Sequence, residues 1–412
     1  MTTTTKIPQT GAPKTGRTAK VSVSIKQIGT SAGIEGTTWV LEILDKGQLS
    51  AISGDIGKLA DKCGHTNPFF ELPFLLPASK YLGEDKIEYL CLHEYAGNHR
   101  ALKMFAPVTV VKIGIGRSKV LRLWSHPYAP LSTPLFDITD PVQATLELVN
   151  CLESATAEYA DAILFENLPK ISGFSRLIHS EPRLSDRLIR FSQSSRGSII
   201  GKSGLRKAVS EVTGKRRQRL RKATERLEAS GKVSFEIDRD LAGIGIALLK
   251  HLELEDRCWK GNRGTSILKS DAATAFTENA VKGMAAQNQC RIHSLKLDGN
   301  TIASMILFQA DGHYFPWKIA FDESLARFSV GNLLLSHVNE HITQDKAFVM
   351  LDSLASELNE TAKRFWPDSL ELNSMVIGLG PKGPQTAYKI ASELDLLSRA
   401  KLSIKKWLGR SL

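Results

Sequence analysis

Residues 302–335 read IASMILFQADGHYFPWKIAFDESLARFSVGNLLL, and this stretch decides the fold. Two apolar runs, Ile302 to Gln309 and His313 to Phe321, flank Asp311-Gly312. Asp-Gly between apolar runs marks a hairpin, because both central turn residues tolerate positive φ. The second run ends in Asp322-Glu323. A loop, Arg327-Phe328-Ser329-Val330-Gly331-Asn332, then enters a helix with apolar positions Leu333, Leu334, Val338 and Ile342. Strand, small-residue loop and helix together present unpaired backbone N–H groups and a positive dipole end to an anion. An ordinary strand-to-helix connection has the same outline, so the flanking elements must decide between the two.

Upstream, periodicity predicts a strand over Lys232–Ile237, a helix over Leu241–Leu254 and a glycine-rich loop Trp259-Lys260-Gly261-Asn262-Arg263-Gly264-Thr265. A helix over Asp271–Ala286 with Asp271 as N-cap follows, then a strand over 291–297 that turns at Asp298-Gly299-Asn300. Downstream come a strand over 347–351, a helix over 357–365, a strand over 370–377 and a helical C-terminal segment from Lys382. Three antiparallel strands, a crossover helix, a strand, a helix and a last strand form a specific order. Strands are predicted at Val21–Ile25 and Thr38–Leu44, and the first half then repeats the order loosely: strands across 87–125, a helix over 141–159, strand 162–165, a helix around Leu177 and strand 188–191. Between the halves, Ser203–Ser230 reads as one long basic helix ending at Gly231.

The chain has 412 residues, a length that suits two or three domains with their own cores. Hydrophobic content of 42% and charged content of 24% are those of a soluble protein. No run reaches the ~18–20 apolar residues of a membrane span. The N-terminal MTTTTKIPQTGAPKTGRTAK has no apolar core, which excludes a secretory signal and reads as a disordered basic tail. Five scattered cysteines without a C-x-x-C fit reduced thiols in a cytoplasm, with no disulfide framework and no metal site. The net charge of +11 is local. Residues 1–20 and 202–232 together carry more than all of it, and seven of the twelve residues 215–226 are basic. That helix is either a solvated face or the seat of an anionic partner. It contains no aromatic residue for base stacking, which makes tRNA a poor candidate.

The residues now quoted resemble a known family. Arg206 to Gly231 is similar to the basic helix that opens the second domain of a subfamily of the GNAT N-acetyltransferases. Trp259 to Thr265 resembles its W-K-G-x-x-G-T box, and Ala320 to Leu334 its Y-D-E…S-P-G-x-L-L box. Asn67-Pro68-Phe69-Phe70-Glu71 resembles an N-terminal signature of the same proteins. Phe321 and Val330 depart from the usual tyrosine and proline, and Asp352-Ser353-Leu354-Ala355-Ser356 stands where a glycine-rich turn is usual. These relatives act around cellulose and exopolysaccharide biosynthesis and are related to the Fem-type aminoacyltransferases.

The resemblance implies an α/β (α+β) fold of two tandem GNAT-like domains, mixed sheets flanked by helices. It divides the chain into the tail 1–20, a degenerate domain 21–202 and an acetyltransferase domain 203–412. It implies acetyl-CoA or another acyl-CoA as co-substrate, held by Trp317, Ile319, Arg327, Phe328, Ser329, Val330, Gly331 and Asn332. Trp259, Lys260 and Arg263 become candidates for the acceptor. Asp322, Glu323 and Asp352 are candidate general bases, since the transfer needs a neutral nucleophile and a route for its proton. Each could as well be a surface or capping acid. Three activities fit: acyl transfer to an amine or hydroxyl of a glycan precursor or small metabolite, aminoacyl transfer from tRNA, or a non-catalytic partner-binding module of a polysaccharide-synthesis complex.

Overall fold

The computed structural model describes residues 26–33, 36–63, 67–83, 87–114, 116–155, 159–210 and 214–409. The tail 1–20 and the predicted strand Val21–Ile25 lie outside these. The first half contains β1 (Lys26–Ala32), β2 (Thr38–Leu44), α1 (Ser53–Asp61), α2 (Leu72–Tyr81), β3 (Glu88–Ala96), β4 (His99–Ile113), β5 (Ser118–Leu123), β6 (Leu135–Phe136), α3 (Pro141–Glu153), β7 (Ala162–Pro169), α4 (Gly173–His179) and β8 (Leu188–Ile200). The second contains α5 (Gly201–Ser210), α6 (Gly214–Glu228), β9 (Val233–Asp238), α7 (Leu241–Arg257), α8 (Trp259–Asn262), α9 (Asp271–Ala286), β10 (Cys290–Leu297), β11 (Asn300–Ala310), β12 (His313–Phe321), α10 (Val330–Ile342), β13 (Met350–Asp352), α11 (Glu360–Phe365), β14 (Asp368–Gly378) and α12 (Gly383–Gly409).

Among the described residues fourteen strands belong to one sheet, ordered β1-β2-β3-β4-β5-β7-β14-β8-β13-β12-β11-β10-β9, with β6 on β4. At its centre the halves exchange strands. β8, from the first half, pairs with β13 of the second, and β14, from the second half, pairs with β7 of the first. β8 and β14 also pair with each other, antiparallel, along most of their length. The two halves are therefore joined by backbone hydrogen bonds as well as by side chains.

A second join is aromatic. Phe69, Phe74, Phe276, Phe308, Phe315 and Trp317 form a continuous set of edge and tilted ring contacts, such as Phe69–Phe74 at 5.0 Å and Phe74–Phe276 at 5.2 Å between centroids. The Asn67-Pro68-Phe69-Phe70-Glu71 stretch is what brings the first half here. Asn67 is buried, donates its Nδ2–H to the Thr133 carbonyl at 2.8 Å and accepts from the Phe69 N–H, which turns Phe69 and Phe70 into the core. Glu71 accepts from Gln289 Nε2 at 2.7 Å across the join. On the opposite face α5, α6, α10 and α11 cover β10 to β13 around Leu227, Met305, Leu334, Val338 and Phe365.

Within the basic segment the described residues form helix over Gly201–Ser210 and Gly214–Glu228, and residues 211–213 lie outside them. Three local expectations need correction. Residues 259–262 make a short helix rather than a loop, and Trp259 is 44% exposed. Ser270, not Asp271, caps α9, accepting from the Ala273 N–H at 3.3 Å. The strand after α10 starts at Met350, three residues later than predicted.

Candidate functional site

Strand β12 leaves its neighbour almost at once. Among the described residues it pairs with β13 only at His313↔Met350 and Tyr314↔Leu351, in parallel. A proline and a bulge drive the divergence. Pro316 has no N–H to give to a neighbouring strand. Trp317 is an extra residue against β11, since Ile306 faces Lys318 and Leu307 faces Pro316, and such a bulge bends a strand. β13 is meanwhile only three residues long. The gap between the strands is a cleft of about 520 Å³.

The cleft is walled on one side by the unpaired edge Pro316–Ile319 and on the other by Ser353, Leu354, Ala355, Asn359, Thr361 and Ala362. Its end is Ser329, Val330, Gly331 and Asn332, the start of α10. Ser329 sits in the left-handed region, φ 53°, between the 323–328 turn and α10. A right-to-left-handed reversal followed by a helix groups successive N–H donors into an anion-binding concavity, and a strained non-glycine residue is characteristic of such places. The first-turn amides have no acceptor within the helix, so those of Val330 and Gly331 border the cleft unclaimed by it.

Of the cofactor candidates, Trp317, Ile319, Ser329, Val330, Gly331 and Asn332 line this cleft. Arg327 and Phe328 do not. Phe328 is buried in the core, and the Arg327 guanidinium lies 4.7 Å from its ring centroid on the outside. None of the three candidate bases lines the cleft. Asp322 caps the 323–328 turn, its Oδ1 accepting from the Ser324 N–H at 2.9 Å and the Ser324 hydroxyl at 2.6 Å. Glu323 is exposed on that turn. Asp352 is buried and pairs with buried Arg196 at 2.5 Å.

The acceptor candidates are also divided. Arg263 stacks near Trp259, 5.2 Å from a ring centroid, at the surface. Lys260 turns inward and pairs with buried Glu255 at 2.6 Å. Burial works to raise the Glu255 pKa, but Lys260 and the Ile267 N–H outweigh it and hold the carboxyl below its usual range.

Beside this pair lies a residue the sequence reading passed over. Lys318, on the bulged edge, has its ammonium 4.2 Å from the Tyr128 ring centroid and 5.3 Å from that of Trp317. Burial, with the Lys260 charge adding to it, pushes its pKa down to about 8. Tyr128 belongs to the first half and also accepts, at its carbonyl, the Trp317 Nε1–H at 2.8 Å. His251, behind them, contacts the Ser304 hydroxyl at 3.1 Å; burial lowers its pKa to about 4 and keeps it neutral. The signal for Lys318 was present: it is the single Lys or Arg in the apolar run 313–321.

A second cleft, about 1180 Å³, opens on the other side of Leu354 and Ala355, which line both. Its walls include Asn167, Ser192, Ser194, Ser195, Arg196 and Ser374 from the exchanged centre of the sheet. Asn167, Ser192 and Leu354 all have positive φ, at 53°, 48° and 53°. Among the described residues no group of His, Cys, Asp and Glu is placed to hold a metal.

The basic helix divides by role. In α6, Arg216 Nη1 donates to the Arg364 carbonyl at 2.6 Å and its guanidinium lies 3.9 Å from the Phe365 ring centroid. Arg217, Arg219 and Arg221 are exposed, and Arg221 meets Glu225 at 3.4 Å in a solvent-exposed ion pair, which is worth little. Arg216→Gln is therefore expected to cost about 1–2 kcal/mol, from a lost carbonyl bond and cation–π contact. Glutamine at 217, 219 and 221 together should leave the melting temperature unchanged or raised, since like charges are removed. Thermal melts of the two variants, compared directly, check this; equal losses would give the whole helix a structural role.

Residues 214–361 match the family model described as an acetyltransferase (GNAT) domain. No curated protein matches the chain in sequence. Among solved structures, the crystal structure of FemX superposes with a TM-score of 0.54 at 10% identity, over 82% of this chain and 97% of that one. The C-terminal domain of a candidate lysylphosphatidylglycerol synthetase from Agrobacterium fabrum superposes with a TM-score of 0.51 at 12% identity, over 84% and 96%. At these identities the likeness is one of fold. The architecture is a mixed α/β one, a large mixed sheet flanked by helices, and residues 214–361 of its second half are similar to a GNAT domain.

Proposed function

We propose that this chain is a GNAT-type acyltransferase that takes an acyl group from acyl-CoA and gives it to an amine or hydroxyl. The observation that carries the reading is the divergence of β12 from β13, which opens a cleft directly onto the start of α10. A GNAT fold uses an acyl-CoA co-substrate in general, and the cleft offers features that suit two parts of that molecule. The pyrophosphate meets the amides of Val330 and Gly331 and the dipole of α10. The pantetheine amides pair with the unpaired edge Pro316–Ile319, as an added strand would.

The acceptor enters from the larger cleft and meets the thioester near Leu354 and Ala355. Its nucleophilic atom attacks the thioester carbonyl, the C–S bond breaks, and coenzyme A leaves as the thiolate, which then takes up the proton that Lys318 has received from the acceptor. Lys318 in its neutral form takes the acceptor's proton. A base with a pKa near the working pH is the effective kind. The resemblance of the sequence boxes points to a cytoplasmic glycan or cell-envelope precursor as acceptor. The exposed cations of α6 favour a second reading, aminoacyl transfer from tRNA.

Calorimetry of the protein with acetyl-CoA, longer acyl-CoAs and bulk tRNA separates these. Micromolar acyl-CoA binding without tRNA binding is expected. Binding of tRNA alone would select the second reading, and binding of neither would leave a partner-binding module.

The Lys318 role gives a pH profile. The amine is neutral above its pKa, so kcat/KM should rise through about pH 8 and level off. Lys318→Met should remove that rise and slow turnover by roughly 10²–10⁴-fold, the range of a general acid–base group, with acyl-CoA affinity kept. An unchanged profile in the variant would make Lys318 a structural cation.

A further inference from the structure

We infer that the C-terminal part of α12 is a docking surface for an anionic lipid bilayer. The helix starts as an ordinary covering element. Ala387, Ile390 and Ala391 are buried against the sheet. Beyond Asp395 the pattern changes. Leu396 is 70% exposed, Leu397 54%, Ile404 56% and Trp407 69%, and Ala400 is exposed with them. Positions 396, 397, 400, 404 and 407 fall at i, i+1, i+4, i+8 and i+11, so they form one stripe along one side of the helix. Four large apolar side chains in one exposed stripe mark an interaction site rather than scattered surface residues.

Charge identifies the partner. Residues 399–412 contain Arg399, Lys401, Lys405, Lys406 and Arg410 and no acid. Arg399 is paired with Asp395 at 2.7 Å, within the same helix. An apolar stripe in a segment this rich in basic residues, with a tryptophan in the stripe, is the composition of a helix lying in the plane of a membrane interface. The stripe sinks toward the acyl chains, and the net positive charge of the segment draws it to anionic lipid. A second copy of this chain is a poor occupant, because stripe-to-stripe pairing would bring two such cationic segments together. Among the described residues no helix is long and apolar enough to cross a membrane, so the contact is a peripheral one. Leu397 also lines the larger cleft proposed for the acceptor, but Leu396 and Ile404 do not, so a test at those two positions stands apart from the acyltransferase reading.

The test uses the full chain and flotation with two kinds of vesicle, phosphatidylcholine alone and phosphatidylcholine containing phosphatidylglycerol. Association with the anionic vesicles only is expected, weakening as salt is added. The double variant Leu396→Glu, Ile404→Glu should lose roughly tenfold or more in vesicle affinity, since two apolar anchors are removed and two like charges added. Its melting temperature should not change, because both positions are exposed. Failure of the wild-type chain to float overturns the inference, as does equal flotation of the double variant. A dimer in light scattering that the double variant dissociates, without vesicle binding, would make a second copy the occupant and also overturns it.

Discussion

Gly331→Val is expected to weaken acyl-CoA binding roughly a hundredfold while the protein still folds. Gly331 is the second residue of α10 and lines the end of the cleft. A Cβ at this position would lie 3.1 Å from the Phe321 ring, a close but yielding contact with a side chain. The backbone there is ordinary helix, so the substitution brings no left-handed strain. Valine is a weaker helix former than alanine by a few tenths of a kcal/mol, and it replaces a glycine that is weaker still. The fold therefore loses little. The branched side chain adds bulk beside Phe321, at the end of the cleft that both residues line, next to the amides proposed to hold the pyrophosphate. Losing that contact should cost on the order of 3 kcal/mol, roughly a hundredfold in affinity. The measurement is a calorimetric titration with acetyl-CoA beside a melting curve. A folded variant with wild-type affinity would remove the start of α10 from the donor site.

Much of the second half was legible in the sequence because its signals are local. β12 runs over the predicted 313–321, and α9 over the predicted 271–286. A turn dipeptide and a helical period need no distant partner to be read. The strand exchange was not legible for the opposite reason. β8 and β14 are about 170 residues apart in the chain, and the alternation of either would suit pairing within its own half. The same distance hid the roles of the acids. Asp322 looked like a base because it ends a strand. Its commitment to Ser324 is an Asx turn, readable from Asp-x-Ser, though a cap and a base share that spacing. Asp352 has its partner, Arg196, far upstream in the other half. Lys318 was passed over because a lysine next to a tryptophan in a strand reads as an outward-facing residue. The bulge at Trp317 changes which way that stretch faces, and a bulge leaves no mark in the sequence.

Asp352→Ala should be the most destabilising single change among the acids. Asp352 and Arg196 are 1% and 5% exposed and meet at 2.5 Å, at the point where β13 ends and β8 passes beside it. A buried pair of this kind is weak grounds for net stability, because desolvation offsets the attraction. Removing one member is different: it strands the other charge in the interior, at about 3–5 kcal/mol. Asp352 Oδ1 also accepts the Leu354 N–H at 3.0 Å, which holds the left-handed turn between the two clefts. Alanine thus frees the shared wall as well as uncovering Arg196. The double variant Asp352→Leu, Arg196→Met removes both charges and keeps apolar volume, so it should recover most of the lost stability. It does not restore the acceptor for Leu354. Stability and ligand binding should therefore separate: the double variant melts near the wild-type temperature yet binds acetyl-CoA more weakly. Denaturant melts of the three variants and one titration decide the matter. A double variant as unstable as Asp352→Ala would show that the pair contributes more than the avoidance of a lone charge. One with full stability and full affinity would show that the Leu354 turn holds itself.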